Sequence, residues 1–194
     1  MDTVPLFPLS SVLFPGGVMP LRIFEPRYTD MVKLCTREQR GFGICAMEGA
    51  SEVARHSAPR DVGTLVRIID FDMLEDGFLG ITVQGENRFE VHQRWQADDG
   101  LWWGEVTPLD EQGDCEFPDE YDDLKQVLQV VYDRLGEPYA SQDRHFDSAA
   151  WISARLAELL PFDPATKHAL LSEADPVARL AHIQPLVSFD GSGQ

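Results

Sequence analysis

Two spacings of apolar residues divide this chain. Up to about residue 110, apolar residues come in short β-branched and aromatic runs broken by Gly, Pro and Asp, the pattern of strands joined by turns. Residues 4–8 are extended, because Pro5 and Pro8 fix φ and push the residues before them out of the helical region. Leu13-Phe14-Pro15-Gly16-Gly17 is turn chemistry, and residues 18–24 resume as strand. One helix interrupts, over residues 26–38. Pro26 suits its first turn, and Tyr28, Met31, Val32 and Cys35 recur at helical spacing. Further strands are predicted over residues 41–47, 63–74, 78–83, 88–95 and 101–109. Turns at Glu75-Asp76-Gly77, around Gly85 and at Asp98-Asp99-Gly100 separate the later ones. Such a run of short strands predicts a small barrel or sandwich.

Beyond residue 110 the period becomes helical. Eight acids and no bases between Asp110 and Asp123 mark a linker leading into a helix amino terminus, where the macrodipole favours acids. Tyr121, Leu124, Leu128, Val131 and Leu135 form one stripe, ended by Gly136 and Pro138. A second helix over residues 147–160 is capped by Asp147 or Ser148 and stopped by Pro161. Two shorter helices open on the pairs Asp163-Pro164 and Asp175-Pro176, a capping carboxylate followed by a residue with no N–H to leave unpaired. The reading is α+β: a barrel subdomain over residues 1–112 with one inserted helix, a helical bundle over 113–190, and a polar tail over 191–194.

Charge narrows the partners. Thirty-three acids against sixteen bases leave −17, spread through the chain, a field that repels nucleic acid and anionic membrane surfaces. Cys35, Cys45 and Cys115 form no C-x-x-C pair; Cys35 and Cys45 lie in apolar surroundings where a buried thiol is the default, so neither disulfide framework nor zinc site is expected. The opening lacks a signal peptide's basic start, and no apolar run approaches the ~20 residues that cross a bilayer. The expected location is the cytoplasm.

The motifs of common chemistry are missing. There is no Gly-Lys pair for a phosphate loop, Gly41–Gly43 lacks the third glycine of a dinucleotide fingerprint, and no G-x-S-x-G elbow occurs. His56, His92, His145, His168 and His182 stand singly, and Asp143-Arg144-His145-Phe146-Asp147 reads as a helix-entry loop. No cofactor, metal or catalytic residue is assigned. What stands out is PLFPLSSVLFPGGVMPLRIFEPRY, residues 5–28, with several prolines and the group Arg22, Glu25, Arg27, Tyr28. The two arginines and the glutamate are expected either to form an ion pair or small network fixing a strand-to-helix corner or to contact a ligand.

That segment resembles the opening of the Lon protease amino-terminal domain, and residues 62–91 and 157–186 resemble its glycine-threonine strand, its G-x-x-R-F hairpin and its helical end. The resemblance implies a PUA-like β-barrel followed by a helical bundle, and a role in recognising or tethering polypeptides. The ATPase and Ser-Lys peptidase modules of complete Lon proteases have no counterpart here, so the expectation is a stand-alone, non-catalytic module. Its partners are expected to be unfolded or apolar polypeptide segments, with a protease or chaperone as a further candidate partner. Such a module needs a concave, partly apolar surface between barrel and bundle. Trp102 and Trp103, pointing to opposite faces of a strand, are further surface candidates. A small-molecule binder or enzyme reusing the barrel is the alternative, with a pocket around His92, Arg22 or Glu25; nucleic-acid binding is a distant third.

Overall fold

A computed structural model describes residues 1–47, 58–110 and 113–187; His56 and the tail over 191–194 lie outside them. The strands are β1 (Asp2–Leu9), β2 (Val18–Ile23), β3 (Phe42–Met47), β4 (Pro59–Met73), β5 (Leu79–Gln96) and β6 (Trp102–Pro108). They form one sheet in the order β2-β5-β4-β3-β1-β6, with β1 and β3 parallel and the other neighbours antiparallel. The far half of β5 also pairs with β6, Phe89 to Gln96 against Pro108 to Trp102, so the ladder returns to β5. The predicted turn at Gly85 is not there. Gly85 lies inside the eighteen-residue β5, where it lets the loop after β1 touch the strand. A side chain on Gly85 would stand 2.3 Å from the Phe14 carbonyl oxygen, and the Gly85 main chain bonds Gly16 and Gly17 (2.9 Å each). The glycine answers a long-range approach, not a reversal. The G-x-x-R-F stretch is therefore continuous strand, and the hairpin falls earlier, at residues 74–78.

Helix α1 (Pro26–Glu38) has the predicted bounds and buries Tyr28, Met31, Val32 and Cys35. These pack with Leu21, Ile23, Ile81 and Val83 on one face of the sheet. A second apolar cluster inside the ladder joins Leu6, Cys45, Phe89 and Val91. Helices α2 (Asp122–Tyr132), α3 (Ala149–Leu159), α4 (Pro164–Ser172) and α5 (Pro176–Ile183) make the bundle. α2 stops short of Leu135, so Tyr132 and not Val131 completes its fully buried stripe. Ser148 caps α3 by accepting from Trp151 N–H, while Asp163 and Asp175 each accept two N–H bonds at the heads of α4 and α5. The acidic linker is tied down at its end: Phe117 N–H donates to Asp147 O (2.8 Å).

Three buried arginines lie at the seam between bundle and sheet. Arg88, from β5, donates to Leu171 O (2.6 Å) and Glu173 O (3.1 Å). Arg179, from α5, donates to Leu170 O, Ser153 Oγ and Glu173 O and lies 5.0 Å over the Phe14 ring. Both guanidinium groups thus serve carbonyls at the end of α4, where orphan acceptors and the helix dipole favour cations. Arg155, from α3, pairs with Glu158 (2.8 Å) and donates to Pro15 O (3.1 Å). Glu158 in turn accepts from Phe14 N–H. Burial pushes the Glu158 carboxyl up, against the pull of Arg155.

Two outcomes follow from this seam. Replacing Arg155 by Met leaves a buried carboxylate without its cation and costs about 3–5 kcal/mol in urea unfolding, whereas Arg155→Met with Glu158→Leu recovers most of the loss. On α4, burial and then the nearby Arg60 hold His168 below its ordinary value of 6.5, against the opposing pull of Asp61. Its contribution is therefore present above pH 6.5 and lost as pH falls through the lowered value. Melts at pH 7.5 and 5.0 should show wild type losing more stability than His168→Gln; equal losses would refute the assignment.

Candidate functional site

The motif on residues 22–28 divides at the start of α1. Arg27 pairs with Glu25 (2.8 Å), donates to Gly100 O (2.8 Å) and lies 4.7 Å over the Tyr28 ring. Tyr28 is buried against Phe7, ring centroids 4.2 Å apart, and its phenol is pushed up by that burial, with Arg27 opposing. Glu25, Arg27 and Tyr28 thus brace the β2–α1 corner against the β5–β6 turn. Of the ion pair or small network expected, the Glu25–Arg27 pair forms and Arg22 does not join it. Strand alternation sends it to the opposite face of the sheet, where it pairs with Asp76 (2.7 Å) and covers Phe78 (4.8 Å). Trp102 and Trp103 point to opposite faces as expected, and both are half-buried. Trp102 packs on the cluster inside the ladder and Trp103 on the α1 cluster, 5.9 Å beneath Arg40.

The exposed apolar surface lies elsewhere, on an arm of the sheet. β3 stops where Phe42 meets Val66, so the last seven residues of β4, 67–73, pair only with β5. With β2 on the other side of β5, three strands project past the ladder. Leu74 N–H donates to Phe78 O, and Gly85 N–H to Gly17 O. Counting by twos from those bonds, Gly80, Thr82 and Gln84 turn their main chains to β4, while Leu79, Ile81 and Val83 turn theirs to β2. On β4, Phe71 and Met73 therefore turn their peptide groups to the open edge; on β2, Val18, Pro20 and Arg22 do. The side chains of Phe71 and Met73 share the α1 face with Ile81 and Leu79. Arg67, Asp70 and Asp72 share the other with Gln84, as the 2.6 Å bond from Arg67 to Gln84 requires. Met73 is 70% exposed and Phe24, just past β2, 61%; with Ile69, Phe71 and Phe78 they make five of the nine large apolar residues exposed among those described.

Between arm and bundle lies the concave surface that a recognition module needs. A cavity of about 460 Å³ is floored by Gly16, Val18, Ile69 and Gln84 and walled by residues 138–145 and Trp151. A second, of about 630 Å³, shares His145 and Trp151 and adds Asp114, Glu116 and Asp147. His145 makes no side-chain hydrogen bond to any of these carboxylates. His92 bonds only Thr107 Oγ1 (2.9 Å), away from Arg22 and Glu25. Among the described residues, no three His, Cys, Asp or Glu side chains converge as metal ligands, and no helix is long and apolar enough to cross a membrane.

The family described as the ATP-dependent protease La (LON) substrate-binding domain matches residues 3–188. The chain belongs to that family. Among solved structures it is similar to the Lon N-terminal domain protein from Xanthomonas campestris, with 37% identity, 97% of this chain and 100% of that one covered, and a TM-score of 0.79. The N-terminal domain of Mycobacterium avium complex Lon protease shares the fold at a TM-score of 0.60 and 18% identity, over 94% and 97% of the two chains. The Lon protease of Cytophaga hutchinsonii is 26% identical over 97% of this chain, which spans 24% of that protein.

Within this Lon-family fold, the motif that carries the resemblance is mainly a packed corner, and the apolar arm was not anticipated. Its stretch Ile68-Ile69-Asp70-Phe71-Asp72-Met73 reads like any half-buried strand. Nothing in it announces that α1 is too short to cover its end. The division of the motif has a direct test. Arg27→Ala should cost about 1.5–3 kcal/mol, the scale of a lost charge-assisted bond. Arg22→Ala, at an exposed pair, should cost less than about 1 kcal/mol. Equal costs by thermal unfolding would contradict the split.

Proposed function

We propose that this chain is a non-catalytic polypeptide-recognition module that holds exposed apolar segments of unfolded proteins, an adaptor for a protease or chaperone working in the cytoplasm. In this reading the ladder that returns to β5 is the PUA-like barrel, residues 1–112 and 113–190 are its two subdomains, and the arm is the contact surface. Membership of the Lon substrate-binding family supports the reading. The observation that carries it is the exposure of Phe71 and Met73 side by side on the α1 face of a strand whose other end is anchored in the core. Folded proteins rarely leave such residues adjacent without a partner, and strands that run unbroken from the core into the arm reduce the ordering cost of binding. In this reading Arg22 and Glu25 flank the arm at the end of β2, Arg27 and Tyr28 hold the corner behind it, and Trp102 and Trp103 serve the packing of the sheet.

Fluorescence anisotropy with a labelled, reduced and carboxymethylated protein as permanently unfolded client tests this. Wild type should bind it, and Phe71→Ser with Met73→Ser should weaken binding at least tenfold while leaving Tm within a few degrees, since both side chains are exposed. Absence of binding by wild type, or binding unchanged in the double variant, would defeat the proposal.

A further inference from the structure

The arm has two open edges, and they are not equivalent. On β2 the middle outward-facing residue is Pro20, which has no N–H, and Arg22 beside it is tied to Asp76. Proline and a charged side chain are common guards on an edge strand. The outer half of β4 has no proline. Phe71 and Met73 turn their peptide groups outward there, and no bond to the main chain of Met73 comes from anything but the strand ladder. Where β3 ends, this edge opens into a groove of about 370 Å³ against the last turns of α1, lined by Thr36, Gln39, Arg40, Ile68 and Phe71. The groove therefore lies in line with β3, on the path that a further strand paired to β4 would take.

We propose that the outer half of β4 accepts an extended segment of the client polypeptide as an added strand, and that the preferred segment alternates apolar with basic residues. The inference rests on the recognition reading above and specifies its ligand. Main-chain pairing demands an extended partner, because outward N–H and C=O groups recur every second residue. Side-chain alternation then sets the composition. Residues of the added strand on the α1 face meet Phe71 and Met73. Those on the other face meet Asp70 and Asp72, which have no ion pair among the described residues. One contact links the two demands: Asp70 Oδ1 accepts from the N–H of Phe71 (2.9 Å). A lysine or arginine that draws the Asp70 carboxylate to itself releases that N–H to the incoming strand, so basic segments gain a backbone bond that acidic ones do not.

The test uses the full chain and labelled ten-residue peptides alternating Val with Lys or Val with Glu. The Val/Lys peptide should bind at least tenfold more tightly. N-methylation at every second residue should abolish binding in one register and spare it in the other, and the Met73 amide should become protected from hydrogen exchange on binding. Asp70→Lys with Asp72→Lys, at exposed positions, should reverse the preference toward the Val/Glu peptide. If both N-methylated registers bind alike, or the charge reversal leaves the preference unchanged, the strand-addition proposal fails. Should the unfolded client still bind through Phe71 and Met73 in that case, the recognition reading survives it. If neither peptide nor unfolded client binds, both fall.

Discussion

Three guanidinium groups buried between the sheet and the bundle set the terms for the rest of this molecule. A cation removed from water is tolerated only where its donors are met. Arg88 and Arg179 meet theirs largely with carbonyls at the end of α4, while Arg155 has the oxygen of Pro15 and the charge of Glu158, with its Nη1 left without a hydrogen-bond partner. Each acceptor is a group that helix ends or loops would otherwise leave unpaired. The helices thus receive terminal partners from the sheet, and the loop over residues 13–17 receives its partners from α3. Neither half completes its hydrogen bonding alone.

That mutual dependence accounts for how an apolar arm can be left uncovered. β5 runs from the arm into the ladder without a break, pairing β2 and β4 in its first half and β6 in its second. α1 covers only the base of the arm, through Met31, Val32 and Cys35, and the outer face looks across a cleft to Trp151 and the loop before α3. The exposed residues of β4 sit on a strand paired along one side to β5 and continuous with the core, so their exposure reflects placement and not looseness.

Local signals were legible in the sequence, and distant ones were not. Proline at the first helical turn and Asp or Ser at the caps located α1, α3, α4 and α5 to within a residue or two, because a cap and its N–H partners are neighbours in the chain. Gly85 misled because a glycine demanded by the approach of Phe14 looks the same as one demanded by a turn. The arginines were invisible as core residues, since a charged side chain defaults to the surface and their acceptors lie up to 140 residues away. The grouping of Arg22 with Glu25 and Arg27 failed through strand alternation, which separates residues that the sequence sets side by side. Family resemblance supplied the substrate-recognition domain, and matched residues could not say which of them face outward.

The loop over residues 13–17 carries a consequence for how the chain is made. Phe14 N–H waits for Glu158, 144 residues downstream, and β1 waits for β6. A chain emerging from the ribosome therefore cannot settle this first segment until the helix carrying Glu158 has been synthesised. For that interval Leu6, Phe7, Val12, Leu13 and Phe14, all buried in the finished protein, are an unprotected apolar tract. A nascent copy of this protein thus exposes, until that closure, the kind of apolar segment that the mature arm is proposed to hold.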